Sequence, residues 1–206
     1  MKKIFLPLLI IILHSCAQQF SYVQNGDLLF IQAKEENLSG AISRVTEKEN
    51  NTSYDHIALI EKDVNKIYVL HAAPEKGSVK EELKPFLKNY KKRTIDLFRI
   101  KPEYSNSIKP AVQKANTLLD KPYNTAYILN ENSYYCSDFI ERSFREDNIF
   151  QLNPMTFINP KTGKIDEFWQ NFYDKLNLNV PEGKPGCNPN GLSQSDKIFK
   201  VKTLQH

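Results

Sequence analysis

The sequence predicts an α+β domain with a central antiparallel sheet packed against helices. Three observations carry that reading. Short apolar runs of strand length alternate with amphipathic helical stripes along the whole chain. Two strand-like runs, YDHIALIE (54–61) and KIYVLHAA (66–73), are separated only by the polar KDVN, which marks a hairpin. At 206 residues, with no period of 20 to 50 residues, the chain has room for one sizeable core and not for two comfortable ones.

The opening MKKIFLPLLIIILHSCAQQ joins a short basic start to an apolar run from Ile4 to Leu13, then to small or polar residues and Cys16. That is the pattern of an export signal, too short to span a bilayer as a mature helix. Ser15-Cys16 resembles the box at which bacterial lipoproteins are cleaved, although His14 departs from the small apolar residue usual there. The expected division is a signal peptide over 1–15, a tether over 16–24 beginning at a lipidated Cys16, and one domain over 25–206. The expected location is the cell envelope, anchored through lipid and facing the periplasm or exterior, with simple secretion as the alternative. Loss of Lys2 and Lys3 with the leader reduces the net charge from +4 to +2. Lysines and acids are interspersed, as in KEENL and EKGSVKEELK, so these runs read as solvated faces and a nucleic-acid partner is not expected.

Within the domain, GDLLFIQ (26–32) reads as a strand, and Leu38, Ala41, Ile42 and Val45 form one helical stripe. The hairpin follows. EELKPFLKNY (81–90) reads as a short helix broken near Pro85, and TIDLFRI (94–100) as a further strand. Ser107, Ile108, Val112, Ala115 and Leu119 fit a helix that ends before Pro122. DEFWQNFYDKL (166–176) is another, with Phe168, Trp169, Phe172 and Tyr173 on its buried side as core. After Asn179 the Pro-, Gly- and Asn-rich VPEGKPGCNPNGLSQSD reads as an ordered loop over the domain.

The hairpin holds the candidate chemistry. Side chains alternate faces along a strand, so His56, Ala58 and Ile60 share one face, as do Ile67, Val69 and His71. Pairing Glu61 with Lys66 sets His56 directly across from His71, with β-carbons about 4.5–5.5 Å apart. A slip by one residue would expose Ile67 and Val69.

With Cys16 assigned to lipid, two cysteines remain. A Cys136–Cys187 disulfide is one reading for an exported chain. The other is a reactive thiol at Cys136, since Cys187 lies in the turn-rich tail while Cys136 opens a periodic segment. In ENSYYCSDFIERSFRED (131–147), with Ser133 as N-cap, Cys136, Phe139, Ile140, Ser143 and Phe144 form a stripe that turns the thiol toward the core face. A helix N-terminus and a neighbouring imidazolium both favour thiolate. A thiol and two imidazoles are the parts of a nucleophile, a base and an orienting group. A zinc site on the same three residues is a weaker alternative, with three ligands and no paired-cysteine motif. No metal and no cofactor is expected.

These motifs resemble the YiiX/YebB-like group of circularly permuted, NlpC-type papain-like cysteine hydrolases, whose hallmark is a tyrosine–cysteine–serine–acid run opening a helix. The likeness covers most of the mature chain. NGDLLF resembles the family's Gly-Asp strand, LSGAISRVT the helix before the histidine, YDHIALIE the histidine strand, DKPYN the Pro-Tyr segment ahead of the cysteine, and YYCSDFIERSF the cysteine helix. PEGKPGCNPNGLS resembles a tail found in part of the group. Asp55 stands where Ser is usual, Ala58 where Gly is usual and Asp138 where Glu is commoner.

The resemblance implies a papain-like half-barrel packed on the helix of the nucleophile. Cys136 is then the nucleophile, His56 the general base and His71 the third polar residue, a position some relatives fill with Glu. The backbone N–H of Cys136 is a ready oxyanion donor, and Tyr54 or Tyr135 is a candidate for a second or for contact with substrate. The leading expectation is an amidase or peptidase acting through an acyl-enzyme on cell-wall-derived peptides or other small amides. The alternatives are an acyltransferase or thioesterase on lipid acyl groups, which a strongly apolar slot would favour, and a non-catalytic binding module.

Overall fold

A computed structural model describes residues 20–34, 37–46, 52–64 and 66–204, without the side chains of Asn37, Leu38, Ser39, Ser43 and Thr46. The leader, Cys16 and the side chain of Leu38 therefore lie outside the described residues. Six strands form one antiparallel sheet: β1 (Leu28–Gln32), β2 (Tyr54–Lys62), β3 (Ile67–Ala73), β4 (Gly77–Glu82), β5 (Ile95–Ile100) and β6 (Ile198–Leu204), in the order β6-β5-β1-β2-β3-β4. The helices are α1 (Asn37–Thr46), α2 (Leu83–Asn89), α3 (Ile108–Thr117), α4 (Cys136–Phe144), α5 (Glu167–Lys175) and α6 (Pro189–Ser193). The expected α+β class, with an antiparallel sheet packed on the cysteine helix, is the one observed.

Continuous apolar runs in β1 and β2 reflect burial on both faces of the sheet. Leu28, Phe30, Ile57, Leu59 and Leu70 face one core, closed by α3 and α4 through Ala111, Ala115, Phe139 and Phe144. Leu29, Ile31, Ala58, Ile60 and Val69 face the other, closed by Phe86 and Leu87 of α2. A third cluster joins Ala41 of α1 to Trp169 and Tyr173 of α5 through Phe157. Of the four aromatics on α5 expected as core, Trp169 and Tyr173 are buried and Phe168 and Phe172 are partly so.

Several boundaries differ from expectation. Val23 is buried against the second core, with Phe20 and Tyr22 packed beside it, so residues 20–24 belong to the folded body rather than to a free tether. The hairpin pairs Lys62 with Ile67 and Leu59 with Leu70, two residues away from the expected register. An even shift keeps every side chain on its face, so the buried set is unchanged. Pro85 does not break α2, because it sits in the first turn, where a helix does not use the N–H that proline lacks. Glu81 and Glu82, assigned to that helix by sequence, end β4 instead. α4 begins at Cys136 with Tyr135 as N-cap, while Ser133 pairs with Asn130. The tail is ordered as expected: the Asn188 side chain caps α6, and Asn190 bonds the Tyr54 N–H and the Ser53 hydroxyl, stapling α6 to the start of β2.

Candidate active site

His56 and His71 point from the α2 side of the sheet, while α4 packs on the opposite face. Cys136 and His56 come to one cleft at the start of β2, with His71 behind His56. Cys136 is the first residue of α4, its thiol 3.9 Å from the Asp55 carbonyl oxygen, which accepts its hydrogen. Sγ also faces the backbone N–H groups of Ile57, Ser137 and Cys136 itself. The segment ahead of the helix is held by Asn124 N–H to Tyr134 O at 3.0 Å and Tyr134 N–H to Pro122 O at 3.2 Å, which lays Tyr123 beside the thiol. Gly77 makes that approach close: its φ is +71°, and a Cβ there would stand 2.2 Å from the Lys121 carbonyl oxygen.

The two imidazoles meet diagonally rather than face to face. Extending the observed pairing sets His71 opposite Ala58, two residues from His56, and the longer diagonal is spanned by the rings themselves. His56 Nε2 lies 2.9 Å from His71 Nδ1, and both residues are almost fully buried. On its other side His71 Nε2 lies 2.9 Å from Glu81 Oε1, and Glu81 Oε2 accepts from Lys76 Nζ at 2.8 Å. Val79 pairs with His71 and Glu81 with Val69, so Glu81 and His71 share a face of the β3–β4 pair. Tyr90 stacks on His56 at 5.7 Å between centroids, and Phe86 meets the His71 ring edge-on at 5.1 Å.

Electrostatics depart from the sequence expectation for the thiol. Burial pushes Cys136 up to about 12, the Asp55 carboxylate adds to this, and the three backbone N–H groups offset only part of it. The helix end does not win because the site is dry and the nearest side-chain charge is negative. Burial, then His71 and Arg93, lowers His56 well below the ordinary imidazole value. Arg93 is held by Asp55 and by the Gln32 carbonyl. Glu81 is held down to about 2 by its bond to His71, with Lys76 adding to the effect against partial burial. The resting site is thus a thiol beside a neutral imidazole.

Cys136 and Cys187 are both free, so the disulfide reading fails. Cys187 packs instead under Tyr135, and its carbonyl accepts from the Ser137 hydroxyl at 3.1 Å. Of the two tyrosines singled out, Tyr54 lies away from the thiol, its hydroxyl donating to buried Asp96 at 2.7 Å and its ring among Phe30 and Phe98. Tyr135 lines the cleft, but its hydroxyl is turned to the Cys187 N–H at 3.3 Å. The hydroxyl at the Cys136 N–H belongs to Tyr123, paired with that of Tyr127. Tyr123 lies in the DKPYN segment, yet its separation in sequence from Cys136 carries no sign of the bridge between Tyr123 and Tyr134 that folds it back. Asp138 binds Arg142 Nε at 2.7 Å, and burial raises it to about 6.

Cys136 and His56 line one cleft of about 700 Å³, whose far wall is apolar: Ile42, Val45, Met155, Phe157 and Trp169. A zinc ion on His56, His71 and Cys136 does not fit. The facing imidazole nitrogens are bonded to each other and the thiol is turned to a carbonyl. Among the described residues no group of three or more His, Cys, Asp or Glu is placed to hold a metal.

The fold is similar to that of a crystal structure of metalloprotein yiiX from Escherichia coli O157:H7, at 20% identity and a TM-score of 0.72 over 89% of this chain and 98% of that one. No curated protein matches the sequence. The pattern of the family described as permuted papain-like amidase enzyme, YaeF/YiiX, C92 family, matches residues 22–202. With that match spanning α4 and all of the sheet but the last two residues of β6, the chain belongs to the YaeF/YiiX family of permuted papain-like amidases and is a cysteine hydrolase of the peptidase or amidase type.

Proposed function

We propose that the protein is an exported amidase that forms an acyl-enzyme on Cys136, with His56 as general base and His71 as the group that orients it. The observation that carries this reading is the single cleft lined by a helix-opening thiol and by an imidazole whose Nε2 is tied to a second imidazole. Nδ1 is the nitrogen of His56 left for the thiol proton. As Sγ attacks the amide carbon, His56 takes that proton and the carbonyl π pair moves onto oxygen, near the Cys136 N–H and the Tyr123 hydroxyl. Collapse breaks the C–N bond, and the proton on His56 leaves with the amine. Water then gives a proton to His56 and attacks the thioester, releasing the acid and restoring the thiol. Tyr123, rather than Tyr54 or Tyr135, supplies the second oxyanion donor.

Cell-wall-derived peptides and other small amides are the substrates proposed, with no nucleic acid. The apolar wall of the cleft favours a second reading, in which the acyl half is a lipid chain and the reaction is thioester hydrolysis or acyl transfer. Lipid attachment at Cys16 would hold the domain at the envelope membrane, each buried methylene contributing about 0.8 kcal/mol. Among the described residues no helix is long and apolar enough to cross a membrane. The test is turnover, by purified protein and its Cys136→Ala variant, of a peptide-amide library beside anilides of increasing acyl length. Cys136-dependent cleavage of peptides supports the first reading, and rates that climb with chain length the second. Turnover unchanged in Cys136→Ala refutes both.

A further inference from the structure

We propose that Glu81 is a positioning residue that sets the tautomers of both histidines and so presents an unprotonated His56 Nδ1 to Cys136. The inference rests on the assignment of Cys136 and His56 as nucleophile and base. Its basis is the unbroken line from Lys76 Nζ through the Glu81 carboxylate, His71 Nε2 and Nδ1 to His56 Nε2, with steps of 2.8, 2.9 and 2.9 Å. Two facing imidazoles have no direction of their own. Either ring can donate to the other, and one of the two arrangements puts a hydrogen on His56 Nδ1, where it blocks proton removal from the thiol.

A carboxylate at one end removes the ambiguity because it can only accept. With a single proton on the His71 ring, that proton sits on Nε2 facing the carboxylate and Nδ1 accepts; His56 then donates from Nε2 and keeps Nδ1 bare. The negative charge also favours the imidazolium that forms on His56 as the thiol proton moves. Lys76 and the protein body hold Glu81 on the face it needs, with the Glu81 side chain only 17% exposed. The other charged or titratable groups packed around the pair are Arg93 with Asp55, and Tyr90 over the His56 ring.

The test uses the full chain, with alkylation of Cys136 by iodoacetamide read by peptide mapping from about pH 4 to about pH 10, alongside hydrolysis of an anilide probe. Glu81→Gln keeps an acceptor for His71 but loses the charge. It is expected to lower kcat about 10- to 100-fold with KM little changed, and to move the acid limb of alkylation to lower pH. Glu81→Asp should retain more activity than Glu81→Gln, and Glu81→Gln should add nothing to His71→Ala. A wild-type kcat and acid limb in Glu81→Gln, with Cys136→Ala inactive, overturns the role of Glu81 alone. Wild-type turnover by Cys136→Ala overturns the nucleophile and this inference together.

Discussion

Replacing His71 by glutamate asks whether the third position needs an imidazole or only an acceptor for His56. Sequence resemblance alone favours partial activity, since some relatives carry Glu there. The structure predicts otherwise, because Glu81 already stands 2.9 Å from His71 Nε2. A new carboxylate would lie roughly 4 Å from that of Glu81, and two like charges at that separation repel by about 4 kcal/mol at an effective dielectric of about 20. That is about three powers of ten, enough to drive one carboxyl from about 4.3 to about 7. Lys76 is half-exposed, so its ion pair offsets less than about 1 kcal/mol. His71→Glu should therefore lose stability as pH rises through about 7. At about pH 8 it should also be at least about 10-fold less active than His71→Glu/Glu81→Gln, where the second charge is gone. Urea unfolding and anilide turnover of wild type, both single variants and the double, at about pH 6 and about pH 8, give the coupling energy directly. Equal stability and equal rates in His71→Glu and the double variant would refute the reasoning.

Three further outcomes are expected. Because His56 is held below its ordinary value, protonation favours the unfolded chain; stability should fall as pH drops below about 6.5, less so in His56→Gln, and the acid limb of kcat/KM should also lie below about 6.5, as unfolding and rate profiles will show. Tyr123→Phe removes a hydroxyl beside the Cys136 N–H and should lower kcat about 100-fold with little change in KM, whereas Tyr54→Phe, which breaks the bond to Asp96, should cost about 1–3 kcal/mol in unfolding and leave kcat unchanged. Palmitate labelling and detergent partitioning should be lost in Cys16→Ala; equal behaviour of the two proteins rules out the anchor.

What the sequence made legible follows from where its signals are strong. The histidine pair was readable because Ala58, Ile60 and Val69 fix which face is buried, and a two-residue error in register could not move either ring to the other side. Glu81 was not readable. In GSVKEE only Val79 is apolar among charged neighbours, and an edge strand held largely by backbone bonds to β3 leaves little period-2 trace. β6, at the opposite edge, was missed for a similar reason, its lysines masking the alternation. The direction of the Cys136 shift was misread because helix position is visible in sequence, while the burial and the facing Asp55 that outweigh it are products of the fold. Tyr54 stands two residues before His56 and by alternation would share its face, yet a bulge at Asp55, where Ile31 and Gln32 pair with His56 and Tyr54, breaks the alternation and turns Tyr54 into the core with Phe30 and Phe98.

Acylation of Cys136 is the event on which the account depends, and it can be read by mass. After brief incubation with a p-nitrophenyl ester of an accepted acyl group and an acid quench, the intact protein and its peptides are weighed. One acyl equivalent on the peptide bearing Cys136, greatly diminished in His56→Ala and missing in Cys136→Ala, is the predicted result. An adduct on another residue, or ester turnover undiminished in Cys136→Ala, would contradict it.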